Sequence, residues 1–339
     1  MVKPEMDGLI RDEPNDVYHA NEAVSHSKLK KFIQRPLLYD GLYVTKNLIK
    51  PAATKSMKGG SLFHTLLLEP DKFFTDYMIL PDKYDSGGGV MKPWNGNANV
   101  CKAHIAEAEA AGKNIVTRAE YMDAKFKALM VRDHPVIGKL LAGGEPELTW
   151  RISEGRPFPM QARTDYFNFT MTQEQAGVIN EFTAKLMVID KPAVAGEPYV
   201  MDYKTTMCLD DWFRENYGST VLKYGYHTQQ EFYRSIVNDV LHRAGHPLVR
   251  FFFFMVQETS EPYDCMLGWI DRDTADLAGY QNSYNLRALA KAYKIGKWIG
   301  YRDQGVMLIG IPEHIRSRIQ EETLEKHHEN PEWLVGGES

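Results

Sequence analysis

The run PLVRFFFFMVQ, residues 247–257, constrains the fold of this chain more than any other stretch. It is too short for the ~20 apolar residues of a membrane-spanning helix. A nearly continuous apolar run of this kind marks a strand buried on both faces, and such a strand belongs to a sheet flanked by helices. Upstream, ELTWRIS and FPMQARTDYFNF, joined by the turn SEGR, and then EPYVMDYKTT carry the period-two alternation of further strands. A long amphipathic helix over 221–243, closed by Gly245, separates these three strands from the apolar one.

Helical signals fill the first part of the chain. Ser25 or Ser27 is placed to cap a helix through Leu29, Phe32 and Ile33, which Pro36 disturbs. GGSLFHTLLLEP forms a second helix ending before Pro70. Thr117 and Glu120 have the spacing of a capping box, in which side chain and backbone satisfy each other's unpaired groups, and the helix they open continues through Met122, Phe126 and Met130. A short helix from about Pro135 closes at Gly143 and Gly144. The expectation is an α/β (α+β) fold with a mixed central sheet: an N-terminal helical elaboration over 1–54, one domain over 55–320 and a flexible tail over 321–339. The segment 170–197 reads as irregular and 84–100 as a flexible loop.

Composition narrows the function. The chain has 339 residues, 43% of them hydrophobic and 25% charged, and a formal net charge of −5. That balance excludes a uniformly basic, nucleic-acid-coating surface but leaves room for a local basic channel. The one basic concentration is early, at Lys28, Lys30, Lys31 and Arg35 and then Lys46, Lys50, Lys55 and Lys58. It reads equally as a solvated helix face. Three scattered cysteines, Cys101, Cys208 and Cys265, build neither a disulfide framework nor a four-cysteine metal site, so a reducing compartment is expected. An acidic N-terminus with Glu5, Asp7 and Asp12 lacks the order of a signal peptide, and the expected location is cytoplasmic. No Gly-x-x-x-x-Gly-Lys-Ser/Thr phosphate loop is present, so the chain is not an ATP-driven helicase.

In PYVMDYKTT, alternation puts Val200, Asp202 and Lys204 on one face and Tyr199, Met201 and Tyr203 on the other. A carboxylate and an ammonium thus share the end of an apolar strand. Phosphodiester hydrolysis needs charge neutralisation and an activated water, which a hard divalent cation on carboxylate oxygens supplies and a neighbouring lysine assists. Asp-x-Lys alone is also an ordinary cross-face ion pair. Asp165, flanked by Arg163, offers a second carboxylate from the adjacent strand. Glu147 offers a third, with Glu145 a poorer candidate. His64, on an otherwise apolar helix after two glycines, is either a core histidine or a ligand through a neutral imidazole nitrogen. On the long helix the stripe Leu222, Tyr226, Gln229, Tyr233, Ile236, Val240 turns Gln229 inward, and a buried amide needs partners. Gln229 and Tyr233 are placed to reach the carboxylates or a substrate phosphate.

Taken in order, VYHANEAVSHSKLKKF, GGSLFHTLLLEP, ARTDY, MDYKTT, YGYHTQQEFY and NLRALA resemble the RecE-type exonucleases, a RecB-like branch of the PD-(D/E)xK nuclease superfamily, whose core has the order αβββαβ. The resemblance covers most of the chain. It implies that His64, Asp165 and Asp202 and the Tyr203 carbonyl are metal ligands and Lys204 the catalytic lysine. It makes Gln229 and Tyr233 a Gln-x-x-x-Tyr motif, with Glu147 a looser match. It further implies Mg²⁺- or Mn²⁺-dependent digestion of duplex DNA from its ends, 5′ to 3′, leaving a 3′ strand for a single-strand annealing partner. A ring-like homo-oligomer of bacterial or phage origin, with no membrane association, is implied as well. The interval from Asp165 to Asp202 is longer than the resemblance implies, and Asp190 sits at a more typical distance. Asp165 is preferred because Arg-x-Asp before an aromatic fits the motif, and a longer β-hairpin insertion would account for the interval. Competing readings are a RecB-like single-strand nuclease or endonuclease, and an inactive DNA-binding module.

Overall fold

A computed structural model describes residues 6–49, 55–186, 191–212 and 219–304, together with residue 317. The chain divides into two compact units, Met1–Trp298 and Ile299–Ser339. In the second, a short 3₁₀ turn, Tyr301–Gln304, is closed by the Gly300 amide donating to the Asp303 carboxylate at 2.6 Å. The expected tail over 321–339 lies outside the described residues. Among the described residues no helix is long and apolar enough to cross a membrane.

The first unit is built on a six-stranded mixed sheet in the order β1(Leu9–Ile10), β2(Glu145–Ile152), β3(Met160–Asn168), β4(Tyr199–Thr206), β5(Phe251–Glu258), β6(Cys265–Gly268). All neighbours are antiparallel except β4 and β5, which run parallel. The helices that matter for the site are α1(His26–Gln34), α2(Lys55–Leu68), α3(Arg118–Asp133), α4(Gln173–Leu186), α5(Tyr226–Arg243) and α6(Arg272–Ile295). β5 is buried along nearly its whole length, as its apolar run requires. Its alternate side chains serve two cores. Phe252, Phe254 and Val256 join Val200 and residues of α1, α5 and α6, while Phe251, Phe253 and Met255 join Tyr199, Met201, Tyr203 and residues of α2, α3 and α4. Each fully buried phenylalanine contributes roughly 1.5–3 kcal/mol through removal of apolar surface from water.

The structure departs from several local expectations. Segment 170–197 is not irregular throughout, and among its described residues there is no hairpin insertion. It contains α4, started by a reciprocal cap in which Thr172 Oγ1 accepts from the Gln175 amide and Gln175 Oε1 accepts from the Thr172 amide. The loop over 84–100 includes a two-stranded hairpin, Lys83–Asp85 with Met91–Pro93, whose turn is held by the Asp85 carboxylate accepting from the Gly87 and Gly89 amides. The long helix is broken at Gly225, which adopts φ +70°, so Leu222 sits on a separate short helix and is exposed. Most L-residues avoid that left-handed conformation, and glycine permits it. The capping box at Thr117 and Glu120 and the Ser25 cap of α1 form as expected. The N-terminal region is not only helical, because β1 adds an edge strand to β2 and Val24 bridges Met160 of β3.

One feature of the sheet positions the candidate site. β3 pairs with β2 along its length but with β4 only over Tyr166↔Met201, Phe167↔Val200 and Asn168↔Tyr199. Beyond Tyr166 the two central strands part. Tyr166 is fixed at that point by its hydroxyl, which accepts the Gly144 amide at 2.7 Å. A β-carbon added at Gly144 would lie 2.3 Å from the Tyr166 ring. Gly144→Ala is therefore expected to lower stability by about 1–3 kcal/mol through overpacking, read as a reduced urea midpoint. An unchanged midpoint would show that the ring does not fix this junction.

Candidate metal centre

Where β3 and β4 part, β2 and β3 also lose their regular pairing. The register runs from Pro146↔Tyr166 directly to Leu148↔Thr164, so Glu147 and Asp165 stand opposite one another outside the ladder. Glu147 has φ +53°, a left-handed backbone that costs a non-glycine residue about 1–3 kcal/mol and persists only where surroundings enforce it. The side-chain phase of β3 changes at the same level. Met160 and Ala162 enter the first core, whereas beyond Asp165 it is Phe167 that enters it and Tyr166 faces the second. Both carboxylates are thereby turned out of the cores and towards each other.

α2 brings the third member. Phe63 stacks on Tyr203 of β4 with ring centroids 4.3 Å apart, which sets the helix against the sheet so that the next residue, His64, meets the acids. His64 Nδ1 lies 3.1 Å from Glu147 Oε1 and Nε2 lies 3.7 Å from Asp165 Oδ1. The Nε2 atom is buried and has no hydrogen-bond partner within normal reach. One ligand atom from each of His64, Glu147 and Asp165 can be chosen so that all three lie within 4.8 Å of one another. An imidazole nitrogen with two carboxylate oxygens is a donor set suited to a divalent cation. Geometry, donor chemistry and the unsatisfied Nε2 all fit such an ion.

Asp202 is buried and belongs to the adjoining half of the site. One carboxylate oxygen contacts the Lys204 ammonium, and the other accepts from Gln229 Nε2 at 3.3 Å. Tyr233, one turn along α5 from Gln229, packs on the first core. Lys204 Nζ donates to the Tyr203 carbonyl at 3.2 Å and lies 5.2 Å from the centre of the Tyr226 ring. The two halves are joined through β4: the Tyr203 amide donates to Asp165 Oδ2 at 2.8 Å. The structure thus brings together His64, Glu147, Asp165, Asp202, Tyr203, Lys204, Gln229 and Tyr233. The three-residue cluster contains Glu147 rather than Asp202, and the Tyr203 carbonyl is engaged by Lys204. Glu145 stands apart, held by Arg11 at 2.8 Å. Asp190 lies outside the described residues.

So many acids in a half-buried space disturb one another. Burial, reinforced by repulsion from Asp165, pushes Glu147 up to about 7 against the pull of His64 and Arg163. Burial and Asp165 likewise push Asp202 up to about 7 against Lys204. Asp165 is held below the usual carboxylate range despite burial, because the neighbouring His64 imidazole pulls it down and Lys204 and the Tyr203 amide add to the effect. Burial opposes charge on His64, but Asp165 and Glu147 overcome it and raise the imidazole to about 9. Lys204 is raised in the same way: desolvation is outweighed by Asp202 and Asp165, and its ammonium stays charged. The protonated imidazole here supplies positive charge where the donor atoms would otherwise share a cation.

Sequence reasoning missed the groups behind Glu147. Arg163 Nε lies 3.7 Å from Glu147 Oε2, and Arg163 is itself gripped by Glu13, Asn15 and Tyr18. No local pattern in residues 13–18 signals that contact, since the partners are about 150 positions apart in sequence.

No protein-family model and no curated protein matches this chain. Among solved structures it is similar to the crystal structure of a protein from Eubacterium rectale named as a putative exonuclease. The two are 12% identical with a TM-score of 0.50, and the similarity covers 91% of this chain and 98% of that one. At that identity the likeness shows a shared fold: a mixed sheet between helical layers, traced over nearly the whole of both chains.

Proposed function

We propose that this chain is a metal-dependent nuclease of the PD-(D/E)xK type, acting as an exodeoxyribonuclease on the ends of linear duplex DNA. The observation that carries the reading is the convergence of His64, Glu147 and Asp165 on one point, with the Asp202–Lys204 pair joined to it through the Tyr203 amide. The exonuclease name of the Eubacterium rectale protein with the same fold supports the class of activity. The motif resemblance supports the finer features: 5′ to 3′ digestion, a 3′ single strand handed to an annealing protein, and a homo-oligomer.

His64, Glu147 and Asp165 would hold Mg²⁺ or Mn²⁺, with the Asp202–Lys204 pair beside them on β4. When bound, such a cation supplies charge neutralisation at the phosphate and makes hydroxide accessible near neutral pH. The protein's own groups do the rest. Lys204, charged because Asp202 and Asp165 outweigh its burial, donates hydrogen bonds to the attacking water or to the phosphate oxygens and offsets the negative charge that develops there. In this state it is a donor and electrostatic stabiliser, not a base. Gln229 donates to the second oxygen of Asp202 and so orients the carboxylate. Asp165 is held by the Tyr203 amide for the same purpose.

Linear duplex labelled at the 5′ or the 3′ end should be degraded with Mg²⁺ or Mn²⁺ and be untouched in EDTA, with the 5′ label released first. Persistent cleavage in EDTA would overturn metal dependence, and attack on circular duplex at the same rate would overturn the requirement for ends. Lys204→Ala should reduce turnover by about 10²–10³-fold while duplex binding, followed by fluorescence anisotropy, changes little. Unchanged turnover would remove Lys204 from the mechanism. Metal uptake should also release protons, because ligation needs neutral imidazole and ionised carboxylates. With His64 raised to about 9 and Glu147 to about 7 in the free protein, Mn²⁺ affinity should rise with pH from about 7 to 9. Calorimetry in buffers of different ionisation enthalpy measures the released protons directly, and a pH-independent affinity with none released would contradict the assigned ligands.

A further inference from the structure

Glu147 is approached by two cationic groups from opposite sides. His64 lies on Oε1 at 3.1 Å and Arg163 on Oε2, its Nε 3.7 Å away. The Arg163 side chain is largely buried and cannot swing. Its Nε donates to Thr149 Oγ1 at 3.0 Å, one Nη donates to the Glu13 carbonyl at 2.9 Å and the other to Asn15 Oδ1 at 3.4 Å. The guanidinium plane rests on the Tyr18 ring, 4.2 Å from its centre. The Glu13 carboxylate, itself buried, is tied to Arg151 at 2.9 Å, and the Tyr18 carbonyl accepts from Gln161 Nε2 at 3.0 Å. Residues 13–18 are therefore docked on the polar side chains of β2 and β3 by a connected network in which Arg163 faces Glu147 of the candidate metal centre.

A planar guanidinium with its donors committed is a rigid object, which a lysine would not be. Glu147 needs such an object behind it. Its backbone is in the left-handed region, it lies outside the ladder, and among the described residues its carboxylate is met by the side chains of His64 and Arg163. Building on the metal-centre reading above, we propose that Arg163 is a positioning residue for the metal centre. It orients Glu147 Oε1 towards the ion, and the N-terminal segment of residues 13–18 is the clamp that holds Arg163 in place.

The test is a double-mutant cycle read by Mn²⁺ calorimetry, with melting temperature recorded for each protein. Arg163→Gln should weaken Mn²⁺ binding by about 10–100-fold, the range typical of groups that orient metal ligands. Arg163→Lys keeps the charge but loses the fork, and should fall between wild type and Arg163→Gln. Cleavage by either variant should recover substantially at saturating Mn²⁺. In a Glu147→Gln background the Arg163 substitutions should add little further loss of affinity, whereas a general structural role would weaken binding to the same extent in both backgrounds. Additive losses overturn the inference, and so does wild-type affinity in Arg163→Gln. If Arg163→Gln does not fold, Arg163→Lys decides the cycle by the same criterion. Failure of the underlying reading looks different: wild-type protein that binds no Mn²⁺, or binds it equally after Asp165→Asn, removes the metal centre itself.

Discussion

The candidate site depends on the parting of β3 and β4 beyond Tyr166↔Met201. A continued antiparallel ladder would place Asp165 opposite Asp202 and satisfy the Tyr203 amide with a backbone carbonyl. Instead the Asp165 carboxylate accepts that amide, so a side chain completes the hydrogen bonding that the ladder abandons. A buried N–H without a partner is strongly unfavourable, and this substitution lets the sheet open without leaving one. The opening is what allows groups from both helical layers to meet. His64 arrives from α2, which packs on the second core, and Gln229 from α5, which packs on the first.

Charge is the second constraint. Glu147, Asp165 and Asp202 are crowded into a half-buried space, and the fold tolerates them by surrounding them with His64, Arg163 and Lys204. The balance is uneven: Glu147 and Asp202 are pushed up towards neutrality, while His64 and Lys204 are pushed up and stay charged. Perturbation of this kind, concentrated in one place and traceable to named neighbours, is characteristic of sites that bind or react. A purely structural ion-pair network would not need Glu147 in a left-handed backbone or an imidazole nitrogen buried without a hydrogen bond.

Much of this was legible in the sequence because strand alternation is a strong signal. The unbroken 251–256 run and the PYVMDYKTT strand placed the central sheet and put Asp202 and Lys204 on one face, and the structure has them in contact. The inward turn of Gln229 followed from helical spacing, and its hydrogen bond goes to Asp202. Other features were present but unread: Thr172 and Gln175 have the capping-box spacing that opens α4, and Gly225 sits where the long helix breaks. The rest has no local signature. That Glu147 joins His64 and Asp165 more closely than Asp202 does depends on a break in strand pairing, and the grip of residues 13–18 on Arg163 depends on contacts spanning most of the domain.

The central claim is that one divalent cation sits between His64, Glu147 and Asp165. Anomalous diffraction from crystals soaked in Mn²⁺ tests it without reference to any activity. The account expects a peak within about 2–2.6 Å of a His64 imidazole nitrogen and one oxygen each from Glu147 and Asp165. A peak held by other residues, or none at concentrations that support binding in solution, would contradict it.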